Sequence, residues 1–189
     1  MKKIVLALVV VCLVSNAFAQ EEKKGFQKEK VFVGGNLGLS FGDYTLINLS
    51  PQIGYRFNKF IGAGLGINGQ YISLKERDYN GDPYRKVSQG VVGLNLFGRF
   101  YPIEHFMIQV QPEGNYIFGN QKFYATSYQS EAKYKLDAVI VPSILVGGGL
   151  VIPSGRGATI MSLMYDVLQQ QHSPYGKQPI VNVGFNINL

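Results

Sequence analysis

The stretch "QHSPY" (171–175) sets His172 beside Ser173, the residue types of a nucleophile and its general base. Acyl-transfer chemistry on a serine needs a base within hydrogen-bond reach and an acid to orient that base. No partner acid is evident from spacing, so the segment reads as a solvated loop. "DYNGD" (78–82) places Asp78, Asn80 and Asp82 at the first oxygen positions of a calcium loop. Pro83 stands where that loop needs glycine, and Gln89 where it needs a bidentate glutamate, so a tight turn at Asn80-Gly81 is the better reading. "GLGING" (64–69) matches the spacing of a dinucleotide fingerprint. That motif works only with a helix N-terminus behind it to hold pyrophosphate. Here a strand pattern follows, and the glycines read as space for large neighbours inside a crowded sheet. No metal or other cofactor is expected.

What remains is a set of charges inside alternating segments: Arg56, Arg99, Glu113, Asp137 and Asp166. The segments that must position them share a period of two. Side chains of a strand alternate between its faces, and residues 31–41, 45–58, 60–72, 88–100, 105–118, 136–152, 157–168 and 180–189 all show that alternation. In 88–100, Val92, Leu94, Leu96 and Phe100 oppose Gln89, Asn95 and Arg99. In the closing segment, Val181, Val183, Phe185, Ile187 and Leu189 oppose Asn182, Gly184, Asn186 and Asn188. No helical period competes. After the first, the connections alternate between short turns and long polar stretches, which predicts an antiparallel up-and-down order with every short turn at one end.

The polar face tells two barrel types apart. A soluble cup has an apolar inside and a charged outside. Here the non-apolar face carries Gly, Asn, Gln and Ser with few charges, which suits the packed interior of a small barrel. Its five charges are expected to point inward and to pair or meet water, in a structural role. The apolar face is then the outside. On that reading Leu94→Arg is damaging, whereas Asn95→Ser and Gln109→Ser are nearly neutral. Tyr55, Phe57, Phe60, Phe100, Tyr101 and Phe106 gather at the short-turn end as an interfacial girdle would.

The amino end bears on compartment. "MKK", an apolar run and "SNAFAQ" predict a secretory signal over residues 1–19, cleaved between Ala19 and Gln20. Residues 20–29 read as a charged tether in the periplasm, and 30–189 as the barrel. The single cysteine, Cys12, leaves with the signal, so no disulfide is expected. Twenty-three glycines, with 12 tyrosines and 12 phenylalanines, suit strands better than helices. The net charge of +6 includes Lys2 and Lys3, and the rest is scattered, which argues against nucleic acid as a partner.

The signal, the eight alternating segments, the turn-and-loop rhythm and the "VGFNINL" ending together resemble small OmpA/OmpX-type outer-membrane barrels. The resemblance is to the short porin-like proteins of Bacteroidetes in particular. It covers the chain after the signal and is one of pattern rather than motif. Many members of that family end on phenylalanine where this chain ends on Leu189, and no second domain is expected after the barrel. The resemblance implies an all-β, eight-stranded antiparallel transmembrane β-barrel in the outer membrane, its termini periplasmic and its long loops outside. The implied partners are outer-membrane lipids, lipopolysaccharide and the barrel assembly machinery, with the chain a monomer. Val181, Val183, Phe185, Ile187 and Leu189 would then serve as closing strand and insertion signal. The implied role is structural, adhesive or that of a minor pore. Some similar barrels modify lipid A using a rim histidine and serine, which makes such an enzyme the alternative. A soluble lipocalin-like periplasmic barrel is the third reading.

Overall fold

The computed structural model describes residues 26–125, 130–176 and 178–189. Ala19, Gln20 and the expected signal lie outside the described residues, as does the first part of the tether. Eight strands follow in order: β1 (Val31–Ser40), β2 (Tyr44–Arg56), β3 (Ile61–Arg77), β4 (Pro83–Ile103), β5 (Phe106–Phe123), β6 (Ala132–Ser154), β7 (Gly157–Asp166) and β8 (Ile180–Asn188). Each pairs antiparallel with its sequence neighbour, and β8 returns to β1 to close the ring. The closing register runs from Phe32 opposite Asn188 to Asn36 opposite Gly184, and Leu189 N donates to Val31 O at 3.0 Å. Closure removes the two free edges that β1 and β8 would otherwise present, although the part of β6 from 132 to 144 stands above β7 without a partner on that side.

The strands run further than the alternation suggested. Residues 73–87 and 119–135 were expected to be mostly loop, but β3 and β4 pair out to Arg77 and Pro83, and β5 and β6 out to Phe123 and Ala132. Lys, Glu, Arg and Ser replace apolar residues there, so the hydrophobic period vanishes. Backbone pairing needs no apolar side chains where water can reach the sheet. The wall is therefore tall over β3 to β6, with strands of 17 to 23 residues. It is low over β7, β8, β1 and β2, where strands have 9 to 13. "DYNGD" caps the first tall hairpin as a turn. Asp78 Oδ1 accepts from the backbone N of Asn80 and Asp82, both at 2.9 Å, and Gly81 takes a φ of +86° that favours glycine.

The interior is layered. Tyr101, Met107, Val151 and Ile160 pack at the short-turn end, and Val91, Ile117 and Val141 nearer the other. Between them lies a polar belt. Tyr101 is thus a correction to the expected girdle: it points inward, 4 % exposed, while Phe57, Phe60, Phe100 and Phe106 do face outward. The tether's described end is also tacked down. Lys28–Lys30 form one 3-10 turn, and the Phe26 ring stacks on Tyr55 at 5.7 Å.

Candidate functional site

Inward positions on β2 to β5 place amides and charges on one side of the sheet, because alternate residues share a face. Gln52 (β2), Asn68 (β3), Asn95 and Arg99 (β4), and Gln109, Gln111, Glu113 and Asn115 (β5) are all buried. Their hydrogen bonds form one chain. Arg99 Nη2 donates to Gln52 Oε1 at 2.8 Å, and Arg99 Nε donates to Gln109 Oε1 at 2.7 Å. Gln109 Nε2 donates to Gln111 Oε1 at 2.7 Å, and Gln111 Nε2 donates to Glu113 Oε2 at 3.1 Å. Glu113 also accepts from Asn68 Nδ2 at 2.8 Å and Asn115 Nδ2 at 2.7 Å, while Asn95 Nδ2 donates to Asn68 Oδ1 at 2.7 Å. With its amide oriented to suit, Asn186 of β8 accepts from Arg99 Nη1 at 3.0 Å. The guanidinium also lies 4.5 Å from the Phe97 ring centre.

Two opposite charges are thus buried without touching, bridged by the amides of Gln109 and Gln111. An unpaired buried charge costs several kcal/mol, and each oxygen or N–H in this belt needs its partner. Substitutions at Asn95 and Gln109 are for that reason less neutral than the alternation implied. Shortening Asn95 to serine withdraws the amide donor that Asn68 Oδ1 accepts from.

Glycines make room for the belt. A Cβ on Gly64 would lie 2.2 Å from Ile53 O and 2.5 Å from the Phe97 ring, and one on Gly66 would lie 2.7 Å from Asn95 Oδ1. The "GLGING" glycines therefore act as clearance inside the sheet, as expected, and no helix follows them.

The connection from β7 to β8 folds inward over the belt. Asp166, 1 % exposed, accepts from the backbone N of Ile144 at 3.2 Å and of Leu168 at 3.1 Å through Oδ1. Ser173 Oγ donates to its Oδ2 at 2.7 Å. That turn aims Tyr175 into the interior, where it lines a cavity together with Asn68 and Gln111. Sequence reasoning missed Tyr175, since nothing local marks a loop tyrosine as inward-facing.

The five expected inward charges divide. Arg99, Glu113 and Asp166 are buried as expected. Arg56 also faces the interior, at a mouth where water reaches it, whereas Asp137 is a correction, exposed at the opposite rim. Arg56 sits at the short-turn mouth with its guanidinium 4.2 Å from the Tyr101 ring centre. Asp137 lies beside a register shift between Ile117 and Gly119, which lifts its strand out of phase. His172 is exposed and shares a rim cavity of about 480 Å³ with Asp137 and Ser173. Ser173 directs its hydroxyl to Asp166 rather than to His172, so the serine and histidine are not brought together as nucleophile and base.

Two further cavities flank the belt. One of about 120 Å³ is lined by Asn48, Ser50, Asn68, Gln111 and Tyr175, and one of about 210 Å³ by Phe32, Arg56, Tyr101 and Asn188. Below the charged hairpins of β3 to β6, the outward faces are apolar on every strand. On β8, Val181, Val183, Phe185, Ile187 and Leu189 are 47–71 % exposed, while Gly184 is buried and Asn182 and Asn186 half-buried. Asn188 sits at the mouth. No group of three or more metal-ligating side chains occurs among the described residues.

The fold and its interior define a closed up-and-down β-barrel, apolar outside and polar within. No protein-family model and no curated protein matches the chain.

Proposed function

We propose that this chain is a monomeric outer-membrane β-barrel protein with a structural or surface-adhesive role, its interior a packed plug rather than a pore. One observation carries the reading: below the charged hairpins an apolar, exposed band runs round the outward face of all eight strands, with Leu94 at 69 %, Ile140 at 73 % and Val181 at 71 %. Continuous apolar surface of that extent is foreign to a soluble monomer. A closed barrel, by contrast, can span a bilayer with every backbone group satisfied. The soluble-cup reading needs the opposite facing. The charged hairpins of β3 to β6 would stand outside and the termini in the periplasm. The family that the sequence resembles supplies the same placement, together with lipopolysaccharide and the assembly machinery as partners.

The pore role is disfavoured by the belt. Arg99, Gln52 and Gln109 bond across the interior between the two flanking cavities, and Tyr175 covers it from the loop side. The enzyme alternative requires a base for Ser173, and the serine hydroxyl is instead committed to Asp166.

Outer-membrane fractionation with heat-modifiable gel mobility tests the location, and planar-bilayer recording tests the plug. Recovery in the soluble periplasmic fraction would overturn the membrane reading, and steady unit conductance would overturn the plug. Lipid A mass spectra should be the same for the native chain and His172→Ala. A pattern that depends on His172 would favour the enzyme.

A further inference from the structure

The register of the tall wall assembles something invisible along the chain. Lys75 of β3 stands directly opposite Lys86 of β4, Lys86 opposite Lys122 of β5, and Lys122 opposite Lys133 of β6. These four lysines share the outward face with Leu94, Leu96 and Tyr116. Neighbouring strands lie about 4.8 Å apart, so the row spans about 14 Å across the sheet. Beneath it, one step toward the apolar surface, runs a row of Ser73, Ser88, Asn120 and Lys135. Beneath that come Tyr71, Gly90 and Phe118. Going outward, the surface over β3 to β5 therefore changes from aliphatic to aromatic, to small polar, to cationic, while on β6 Lys135 brings the cationic layer one step lower.

Like charges directly opposite on a sheet destabilise it, and the nearby carboxylates relieve the row only in part. Asp43, at the tip between β1 and β2, is held by Arg77 at 2.8 Å, and that guanidinium keeps its carboxyl below the usual aspartate range. Glu76 is engaged by Arg85 and by the Tyr84 hydroxyl. Glu131 pairs with Lys122 at 2.9 Å. Among the described residues, Lys75, Lys86 and Lys133 have no carboxylate within ion-pair distance.

We propose that Lys75, Lys86, Lys122 and Lys133 form a docking row for the phosphates of a phosphorylated glycolipid in the outer leaflet. The inference rests on the membrane reading above and adds to it the residues at which the glycolipid would dock. The order of the layers argues for a lipid over a free anion. Cations flush with the outer face, one small-polar step above the aromatics, stand where headgroups lie when acyl chains cover the aliphatic band.

The test places the chain in phosphatidylcholine nanodiscs and titrates bis-phosphorylated lipid A, its dephosphorylated form and inorganic phosphate, with bound lipid counted by native mass spectrometry. Each lysine near an anionic surface strengthens binding about fivefold, so replacing all four by glutamine should weaken lipid A binding about a hundredfold, counting the three without a carboxylate partner. Lys59→Gln, at the short-turn end, should change nothing. The pair Lys86→Gln with Lys133→Gln serves if the quadruple variant folds poorly. It should weaken lipid A binding while leaving the melting temperature in lipid-free micelles equal or higher, because repulsion is relieved. Unchanged lipid A affinity in folded variants overturns the row and leaves the membrane reading standing. Displacement of lipid A by inorganic phosphate, or equal binding of the dephosphorylated form, overturns the lipid assignment. Failure of the native chain to enter nanodiscs removes the membrane reading and the row together.

Discussion

Leu94 and Asn95 are adjacent on β4 and obey different rules. Leu94 is 69 % exposed on the outer face, where its neighbours are other apolar side chains, whereas Asn95 is 3 % exposed and bonds to Asn68. On the membrane reading, the apolar band of the outer surface asks only for hydropathy, since any apolar side chain of moderate size serves there. The inner surface asks for particular donors and acceptors at particular places. One backbone alternation thus carries two kinds of constraint, loose outside and specific inside.

The largest expected effect abolishes both surfaces at once. Removing residues 185–189 deletes four of the five pairs that join β8 to β1, leaving an open edge. No heat-modifiable, protease-resistant species should form. A truncated chain that still resists protease would show that closure is not what separates inside from outside.

Within the closed barrel, the inner surface should be the more easily broken. Arg99→Met leaves Gln52 Oε1 and Gln109 Oε1 without their donor and Glu113 without its balancing charge. The expected cost is about 3–5 kcal/mol, read from urea midpoints in detergent. Adding Glu113→Gln restores electrical neutrality and should recover part of that loss. Strictly additive losses in the double variant would mean the two charges are not coupled through Gln109 and Gln111.

Leu94→Arg, on the membrane reading, sets a charge against hydrocarbon at a cost of about 2–4 kcal/mol in lipid vesicles. Asn95→Ser should cost about 1–3 kcal/mol, the toll of depriving the buried Asn68 oxygen of its donor. A shift of solvent sharpens the contrast. The Leu94→Arg penalty should shrink when urea titrations move from vesicles to small detergent micelles, and the Asn95→Ser penalty should not. Equal behaviour of the two would erase the distinction between faces.

The smallest effect belongs to the rim. Because the neighbouring Arg77 guanidinium depresses the Asp43 carboxyl, the pair's contribution is present above the unfolded aspartate value near 4. It fades as pH falls through the lower folded value. Asp43→Asn should thus lower stability slightly at neutral pH and leave it unchanged in strong acid, measured as a pH series of melting temperatures. A deficit that persists in acid would point to the Asp43 backbone contact with Lys75 instead.

Much of this was legible along the chain. Alternation located every strand, because the period of two is a property of the backbone and needs no partner. The glycines of "GLGING" and the turn at "DYNGD" were readable for the same local reason. Strand ends on the tall wall were not, since Lys75, Glu76, Arg85 and Lys86 pair in a hairpin wetted on both faces, where no apolar pattern is required. The facing of Asp137 was lost to a register shift, which offsets the side chains on its hairpin side by one position and leaves no mark in composition.

The sequence by itself determined the strand number, their antiparallel order and, away from register shifts and strand ends, which residues share a face. Only the tertiary structure decided which groups meet across the ring. Asn68 reaches Glu113 from 45 residues away, Arg99 reaches Gln52 from 47, and Tyr175 enters from a distant connection. The lysine row likewise exists only once four strands lie in register. The reason is physical: the period along a strand is set by bonded geometry, whereas partners across strands are set by register and closure, which depend on the whole ring at once.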